Sequence, residues 1–216
     1  MRLRLIVTLF VSLLVLMATT GCQKTYYTVW EKLGKEKRHL LKDEVEKQRV
    51  EQEKASEEFK DALTRIKEIY GLDGGELEEF YNKLKGDYES CEARAEKVEK
   101  RMNNVDEIAS DLFEEWGNEI EEMSNAKFKS KSKRALQDTQ KRYASLSKAM
   151  NKSRARMETV LGHMKDYVLF MKHNLNAQSI GALRQEVTDI EAEVNTLIND
   201  IEKSVKEADD FLKTLA

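Results

Sequence analysis

Residues 77–116 read LEEFYNKLKGDYESCEARAEKVEKRMNNVDEIASDLFEEW. Apolar and aromatic residues recur through this stretch at alternating steps of four and three. Such spacing is typical of long amphipathic helices that pack side by side as in a coiled coil. The stretch therefore predicts one uninterrupted helix with a single packing seam. The predicted seam residues are Leu77, Tyr81, Leu84, Tyr88, Cys91, Ala95, Val98, Met102, Val105, Ala109, Leu112 and Trp116.

The same spacing recurs before and after this stretch and predicts three further helices. Each block of about 40 residues corresponds to a helix about 60 Å long. Because the sequence between blocks is short, consecutive helices are predicted to run antiparallel. The 216 residues include no proline, so no helix is interrupted by a proline kink. The four blocks lie within residues 27–70, 76–123, 132–172 and 180–215, with breaks at Gly71–Gly75, Ser124–Lys127 and His173–Asn176.

The fold class predicted from this pattern is all-α. It is an elongated antiparallel bundle of about four long helices with coiled-coil packing, and it occupies residues 22–216. No segment has the two-residue alternation of a strand. One irregularity is expected in the last helix, where the step of four from Ile201 to Val205 follows another step of four and predicts a stutter.

The first 22 residues resemble the signal sequence of a bacterial lipoprotein. Two arginines within Met1–Arg4 precede the apolar segment Leu5–Ala18, and small residues lead to Gly21 and Cys22. The apolar segment is shorter than the ~20 residues that a membrane-spanning helix needs. Two alternatives remain open: an ordinary secretory signal without lipid attachment, and an uncleaved anchor.

The predicted signal peptide is residues 1–21, and the predicted lipid attachment site is Cys22, which becomes the first residue of the mature chain. Acyl groups such as palmitate on this cysteine are expected to hold the chain stably, because two or more acyl chains anchor a protein to a bilayer. Gln23 stands where an aspartate commonly retains lipoproteins at the inner membrane. By resemblance to sorted lipoproteins, the predicted location is the periplasmic face of the outer membrane.

Composition narrows the function. Removing Arg2 and Arg4 changes the net charge from −3 to −5, which argues against a general nucleic-acid partner. The remaining cysteine, Cys91, falls on a seam and is predicted to be buried. We find no motif for nucleophilic, phosphate or metal chemistry. We therefore predict that the chain is not an enzyme and holds no cofactor and no metal.

Charge is distributed unevenly around the second break. Residues 106–122 carry eight acidic residues and no Lys or Arg, whereas residues 127–156 carry eleven basic residues and one acidic residue, Asp138. We favour the interpretation in which the two stretches neutralise each other across an antiparallel hairpin. The alternative is a basic patch that binds anionic lipid. The candidate contact residues, placed at the turn, are Lys127, Lys129, Lys131, Lys133 and Arg134.

A site inside the bundle is a third hypothesis, which requires the polar members of the seams to converge. Those members are Gln48, Gln52, Thr139 and Ser153.

Methionines at positions 150, 157, 164 and 171 form a row on one seam, and thioethers suit Cu(I). Successive sulfurs seven residues apart are separated by about 10 Å, so the row is interpreted as core packing.

Three stretches resemble one known family. They are residues 26–38, residues 111–116, which read DLFEEW, and residues 168–177, which read VLFMKHNLNA. The family comprises bacterial envelope proteins of unknown function, many with lipoprotein signals, and the resemblance covers essentially the whole mature chain. It implies a helical coiled-coil fold, and no known activity, ligand or catalytic residue.

The function expected from the sequence is that of an outer-membrane-anchored periplasmic lipoprotein acting as a non-catalytic helical scaffold or binding module. Its expected partners are the membrane, through the lipid anchor, and an envelope protein, with self-association as a further option. The alternative function is a membrane-surface sensing or remodelling module that binds anionic lipid through the basic stretch 127–156.

Overall fold

The computed structural model describes residues 37–72 and 76–215. These residues form four α-helices, one short 3₁₀-helix and no strand, which confirms the predicted all-α class. The elements are α1 (Lys37–Lys67), a 3₁₀ segment (Glu68–Tyr70), α2 (Leu77–Glu122), α3 (Ala126–His173) and α4 (Ala177–Leu212).

The chain divides into two compact units, Met1–Leu40 and Leu41–Ala216. The described part of the first unit is the helical turn Lys37–Leu40 that opens α1. The predicted signal segment and Cys22 lie outside the described residues. The second unit contains the remainder of the four helices.

No helix in the described part of the chain combines the length and the apolar character needed to cross a bilayer.

Ion pairs between α1 and α2 show that these helices run antiparallel. Near the start of α1 the Glu44 carboxylate lies 2.7 Å from the Arg101 guanidinium. Near its end the Arg65 guanidinium lies 3.2 Å from the Asp87 carboxylate. From the first ion pair to the second, the residue number rises along α1 and falls along α2. The two helices therefore run in opposite directions.

The same reasoning places α4 beside α1, again antiparallel. Arg49 approaches Asp209 at 3.5 Å, and Lys67 approaches Glu191 at 2.6 Å. These pairs are largely exposed, and exposed ion pairs contribute about 0–1 kcal/mol each. They therefore indicate helix order more than they stabilise the bundle.

Helix α3 packs between α2 and α4 and lies diagonally across the core from α1. Close backbone contacts join α3 to both α2 and α4. Across the core, the buried Gln52 amide of α1 donates to the Ser153 hydroxyl of α3 at 3.2 Å. The result is an up-down-up-down bundle of the kind that short connections produce.

The core consists of continuous heptad seams. In α4 the buried residues alternate at steps of three and four without interruption, so the predicted stutter is wrong. Ser204 and Phe211 occupy the core at 0% and 1% exposure, whereas Val205 is half-buried. Hydrophobicity alone selects Val205, but the heptad continues through a small serine that the core accommodates. The observed seam is Ile180, Leu183, Val187, Ile190, Val194, Leu197, Ile201, Ser204, Ala208, Phe211 and Leu215.

The seam predicted for α2 is largely confirmed, with one shift near its start. Phe80 is buried at 4% exposure, and Tyr81 next to it is half-buried. Trp116 is half-buried as well. Its ring nitrogen donates to the Ser132 hydroxyl of α3 at 2.9 Å. Such a partner is what an indole N–H at a helix contact requires.

Arg184 of α4 secures the end of α1. Its guanidinium donates to the backbone carbonyls of Ile69 (3.0 Å), Tyr70 (3.1 Å) and Leu72 (3.0 Å). The last carbonyls of a helix have no partner inside the helix, and a cation near them is also favourable for the helix dipole. One side chain therefore caps the α1 terminus and fixes it to α4.

We expect Arg184→Met to lower the free energy of unfolding by about 1–3 kcal/mol, since charge-assisted hydrogen bonds to three carbonyls are lost. Arg184→Lys is expected to recover only part of this, because an ammonium lacks the planar fork of donors. Urea denaturation measures both. The matched control, Arg142→Met at an exposed site, is expected to stay within about 0.5 kcal/mol of the parent. Equal losses at both arginines would contradict the capping role.

The α2–α3 hairpin extends past the end of α4. Tyr143 of α3 contacts Phe211, near the end of α4, with ring centroids 5.7 Å apart. Tyr143 also donates to the Asp106 carboxylate of α2, and burial together with this carboxylate raises the pKa of Tyr143. Residues 126–142 of α3 precede this contact, so about 25 Å of helix lies beyond the end of α4.

The predicted basic turn is part of a helix instead. The connection is Met123–Asn125, and α3 begins at Ala126, six residues before the predicted start. The Asn125 side chain accepts from the backbone N–H groups of Lys127 (3.0 Å) and Phe128 (3.2 Å). This N-cap satisfies two donors at the start of the helix, which is why α3 starts immediately.

Candidate interaction surface

The five predicted contact residues lie in the first three turns of α3, and they do not form one cluster. Lys127, Lys131 and Lys133 are exposed and form no ion pair within the described part of the chain. Arg134 is exposed and only approaches the Ser130 hydroxyl, at 3.5 Å. Lys129 points toward α2 instead.

Lys129 already forms an ion pair with a residue of α2. Its ammonium lies 2.9 Å from the Glu121 carboxylate and donates to the Glu121 backbone carbonyl at 3.1 Å. The lysine holds the pKa of Glu121 below its usual range. Among the described residues this is the one direct ion pair that joins the acidic stretch 106–122 to the basic stretch 127–156, so the predicted neutralisation across the hairpin involves little direct pairing.

Other basic residues of α3 pair elsewhere. Lys152 lies 2.6 Å from Asp200 of α4, and Arg156 lies 3.7 Å from the same carboxylate. Arg154 approaches Glu99 of α2 at 3.5 Å, outside the predicted acidic stretch. The alignment of the antiparallel helices decides these partners. The middle of α3 lies beside Asp200 of α4 and beside Glu99 of α2, which precedes the acidic stretch.

Four cations of α3 share one line that is furthest from the core. The buried residues of α3 take the two seam positions of the heptad, and the position midway between seams on the outside is the most exposed one. Its first four occurrences are all basic, all exposed, and without an ion pair among the described residues. We call this set the cationic stripe: Lys127, Arg134, Lys141 and Lys148.

The sequence-based selection missed Lys141 and Lys148 because it was made by proximity to a turn. The signal was present in the sequence as a spacing of seven residues. The next two occurrences of the same position are Ala155 and Gly162, so the cations are confined to the half of α3 nearest the hairpin tip. The stripe spans about 32 Å, with about 10 Å between successive charges.

Phe128 lies beside the stripe at the tip. It is 64% exposed, the most exposed of the large apolar side chains described. An isolated exposed apolar residue is ordinary on a protein surface. Its place in the first turn of α3, between Lys127 and Lys129, makes the tip both basic and aromatic.

The polar members of the seams converge in part. Gln48, Gln52 and Ser153 are all buried, and the last two are hydrogen-bonded to each other. Thr139 does not join them, since its hydroxyl donates to the Ala135 carbonyl of its own helix at 2.8 Å. The Gln48 amide has no partner in the described part of the chain. Polar groups of this kind cost stability and can specify register.

A small, partly open cavity lies elsewhere, among apolar side chains that include Ile66, Phe80 and Tyr167. Its volume is about 10 Å³, which is near the lower limit for one water molecule, whereas ligand pockets measure about 300–1,000 Å³. This cavity is therefore a packing defect and does not support a carrier site.

Cys91 and the methionine row belong to the core, as predicted. Cys91 is fully buried, and burial raises the pKa of its thiol. The four methionines, Met150, Met157, Met164 and Met171, are each at most 1% exposed. No cluster of three or more histidine, cysteine or carboxylate side chains in the described ranges is placed to hold a metal ion.

The fold and the surface together define the class of protein: an antiparallel four-helix bundle with heptad packing and a basic outer line on α3. Residues 26–215 match the model of the family described as "Protein of unknown function (DUF2959)", and the chain belongs to that family. Curated proteins and solved structures yielded no match. The family resemblance and its helical fold are confirmed, while the envelope location stays a prediction.

Proposed function

We propose that the chain is a lipid-anchored, non-catalytic binding module of the bacterial envelope, attached at Cys22 to the periplasmic face of the outer membrane. Its helical bundle presents the outer face of α3 to a partner. The lipoprotein-type signal in residues 1–22 supports the anchor. The cationic stripe supports the binding role, and it is the observation that carries the proposal.

The binding role follows from how the charges are distributed in the bundle. Some basic residues of the bundle, such as Arg101 and Lys152, pair with a carboxylate of a neighbouring helix, Glu44 and Asp200 respectively. The stripe residues remain exposed and unpaired in the described structure. Lys127 also lies in the first turn of α3, where a cation opposes the helix dipole. A line of charges that the fold does not use is therefore available to an acidic partner.

Photo-crosslinking in cells tests this function. A photoreactive residue is placed at Ser145, which is exposed near the stripe, or at Glu57, which is exposed on the diagonally opposite helix α1. We expect an adduct at Ser145 that is absent at Glu57 and is lost when all four stripe residues are changed to glutamine.

The matched control changes four other exposed lysines, chosen because they form no ion pair within the described residues. It is expected to retain the Ser145 adduct. Identical adduct patterns at the two probe positions, or loss of the adduct in both four-residue variants, would rule out the stripe as the binding surface. The control lysines are Lys60, Lys97, Lys100 and Lys203.

A further inference from the structure

We propose that the partner of the cationic stripe is an anionic lipid surface, on which α3 lies with Phe128 entering the headgroup region. This inference rests on the proposed function, because the lipid anchor is what keeps the bundle at the membrane. It goes beyond that function by naming the partner and the side of the bundle that faces it.

The geometry of the stripe fits a planar surface. Its four residues occupy the outermost heptad position of one straight helix, opposite the seams, so a plane can touch all of them at once. Successive charges are about 10 Å apart, and each long side chain reaches the plane independently. Such an arrangement requires only an array of negative charge, and a membrane surface provides one.

Two of the acidic residues of the hairpin lie away from the stripe. Glu121 faces α3 through its pair with Lys129, on the side of α3 away from the stripe. Asp106 accepts from Tyr143 at a seam position of α3. The one acidic residue between the stripe cations on α3 is Asp138, so the outer line retains a positive balance.

Phe128 adds an apolar contact at the end of the stripe. Aromatic side chains favour the membrane–water interface, and basic helices with apolar residues lie in that plane. At 64% exposure the ring is available to enter it. An acidic protein partner would need a matching pocket for this ring, whereas a bilayer accepts it without one.

The direction of the helices also favours this contact. Because α1 and α2 are antiparallel, the Leu41 end of α1 points toward the α2–α3 tip, which lies about 30 Å beyond the Glu44–Arg101 pair. Cys22 precedes Leu41 by about 20 residues, a length of chain that extends at most about 70 Å. The proposed attachment at Cys22 is thus connected through the chain to the end of α1 that points the same way as the tip.

Energy transfer to labelled lipid tests the proposal with the full lipid-anchored chain in vesicles. A donor is attached to Ser145→Cys or, as the control, to Glu57→Cys, and the acceptor is carried by a lipid headgroup. The native cysteines do not compete, because Cys22 is expected to be acylated and Cys91 is buried. With vesicles containing phosphatidylglycerol we expect stronger transfer from position 145 than from position 57.

The difference is expected to disappear in vesicles of phosphatidylcholine alone, in high salt, which screens charges beyond a few ångströms, and in the four-glutamine stripe variant. In the form with Cys22→Ser, neutralising the stripe is expected to weaken vesicle affinity several hundredfold, at about fivefold per charge. Phe128→Ala is expected to weaken it further without changing the salt dependence.

Equal transfer from the two positions in anionic vesicles would overturn the proposal. A Ser145 crosslink to an acidic protein, without lipid proximity, would also overturn it while leaving the proposed binding function intact. A chain that carries no acyl group and does not associate with vesicles at all would contradict the proposed function itself.

Discussion

Replacing Phe59 by alanine is expected to lower the free energy of unfolding by about 3–5 kcal/mol, the range for phenylalanine truncation in a packed core. Phe59 is fully buried on α1, at a seam position that faces the other helices. Truncation removes apolar area from the core and leaves a cavity that long, regular helices cannot easily collapse to fill. Single domains are typically stable by about 5–15 kcal/mol, so the expected loss is a substantial part of the total stability.

Phe128→Ala is the matched control, because it makes the same chemical change at a site that is 64% exposed. Its effect on the free energy of unfolding is expected to stay within about 0.5 kcal/mol. Chemical denaturation followed by circular dichroism measures both variants. Equal losses at the two positions would show that the α1 seam does not pack against the remaining helices.

Replacing Cys22 by serine is expected to abolish incorporation of labelled fatty acid into the chain. The physical reason is that serine lacks the thiol to which the first acyl group is attached. Loss of two or three acyl chains also removes stable anchoring, since one chain alone binds a bilayer only marginally. The measurement is metabolic labelling followed by detergent phase partition.

Cys91→Ser provides the control for this change. Cys91 is fully buried, and its raised thiol pKa keeps the sulfur protonated and unreactive. Labelling of the Cys91→Ser chain is expected to match that of the parent. Retained label in the Cys22 variant, or lost label in the Cys91 variant, would contradict the assignment of Cys22 as the lipid attachment site.

Sequence periodicity predicted the helices and most of the core, because a heptad seam is a repeated signal that survives single exceptions. It failed where a local detail decided the outcome. The Asn125 cap started α3 earlier than the apolar pattern did. Ser204 continued the α4 seam where Val205 is the more hydrophobic choice. Both errors come from reading hydrophobicity without capping or heptad position.

The candidate site was predicted only in part. The excess of positive charge at the start of α3 is visible in the sequence, but its partners depend on helix register. The antiparallel alignment joins Lys129 to Glu121 and sends Lys152 to Asp200. The basic residues that remain exposed include the cationic stripe, whose members are seven residues apart. The stripe can be recognised as one surface only after the buried seams show which side of α3 faces outward.

That the bundle is held to a membrane at Cys22 is the claim on which the function depends, and mass spectrometry of the chain purified from its native envelope tests it most directly. The predicted result is an N-terminal peptide that begins at Cys22 and carries the mass of two or three acyl chains. An N-terminal peptide that begins elsewhere, or one that contains an unmodified Cys22, would contradict the claim.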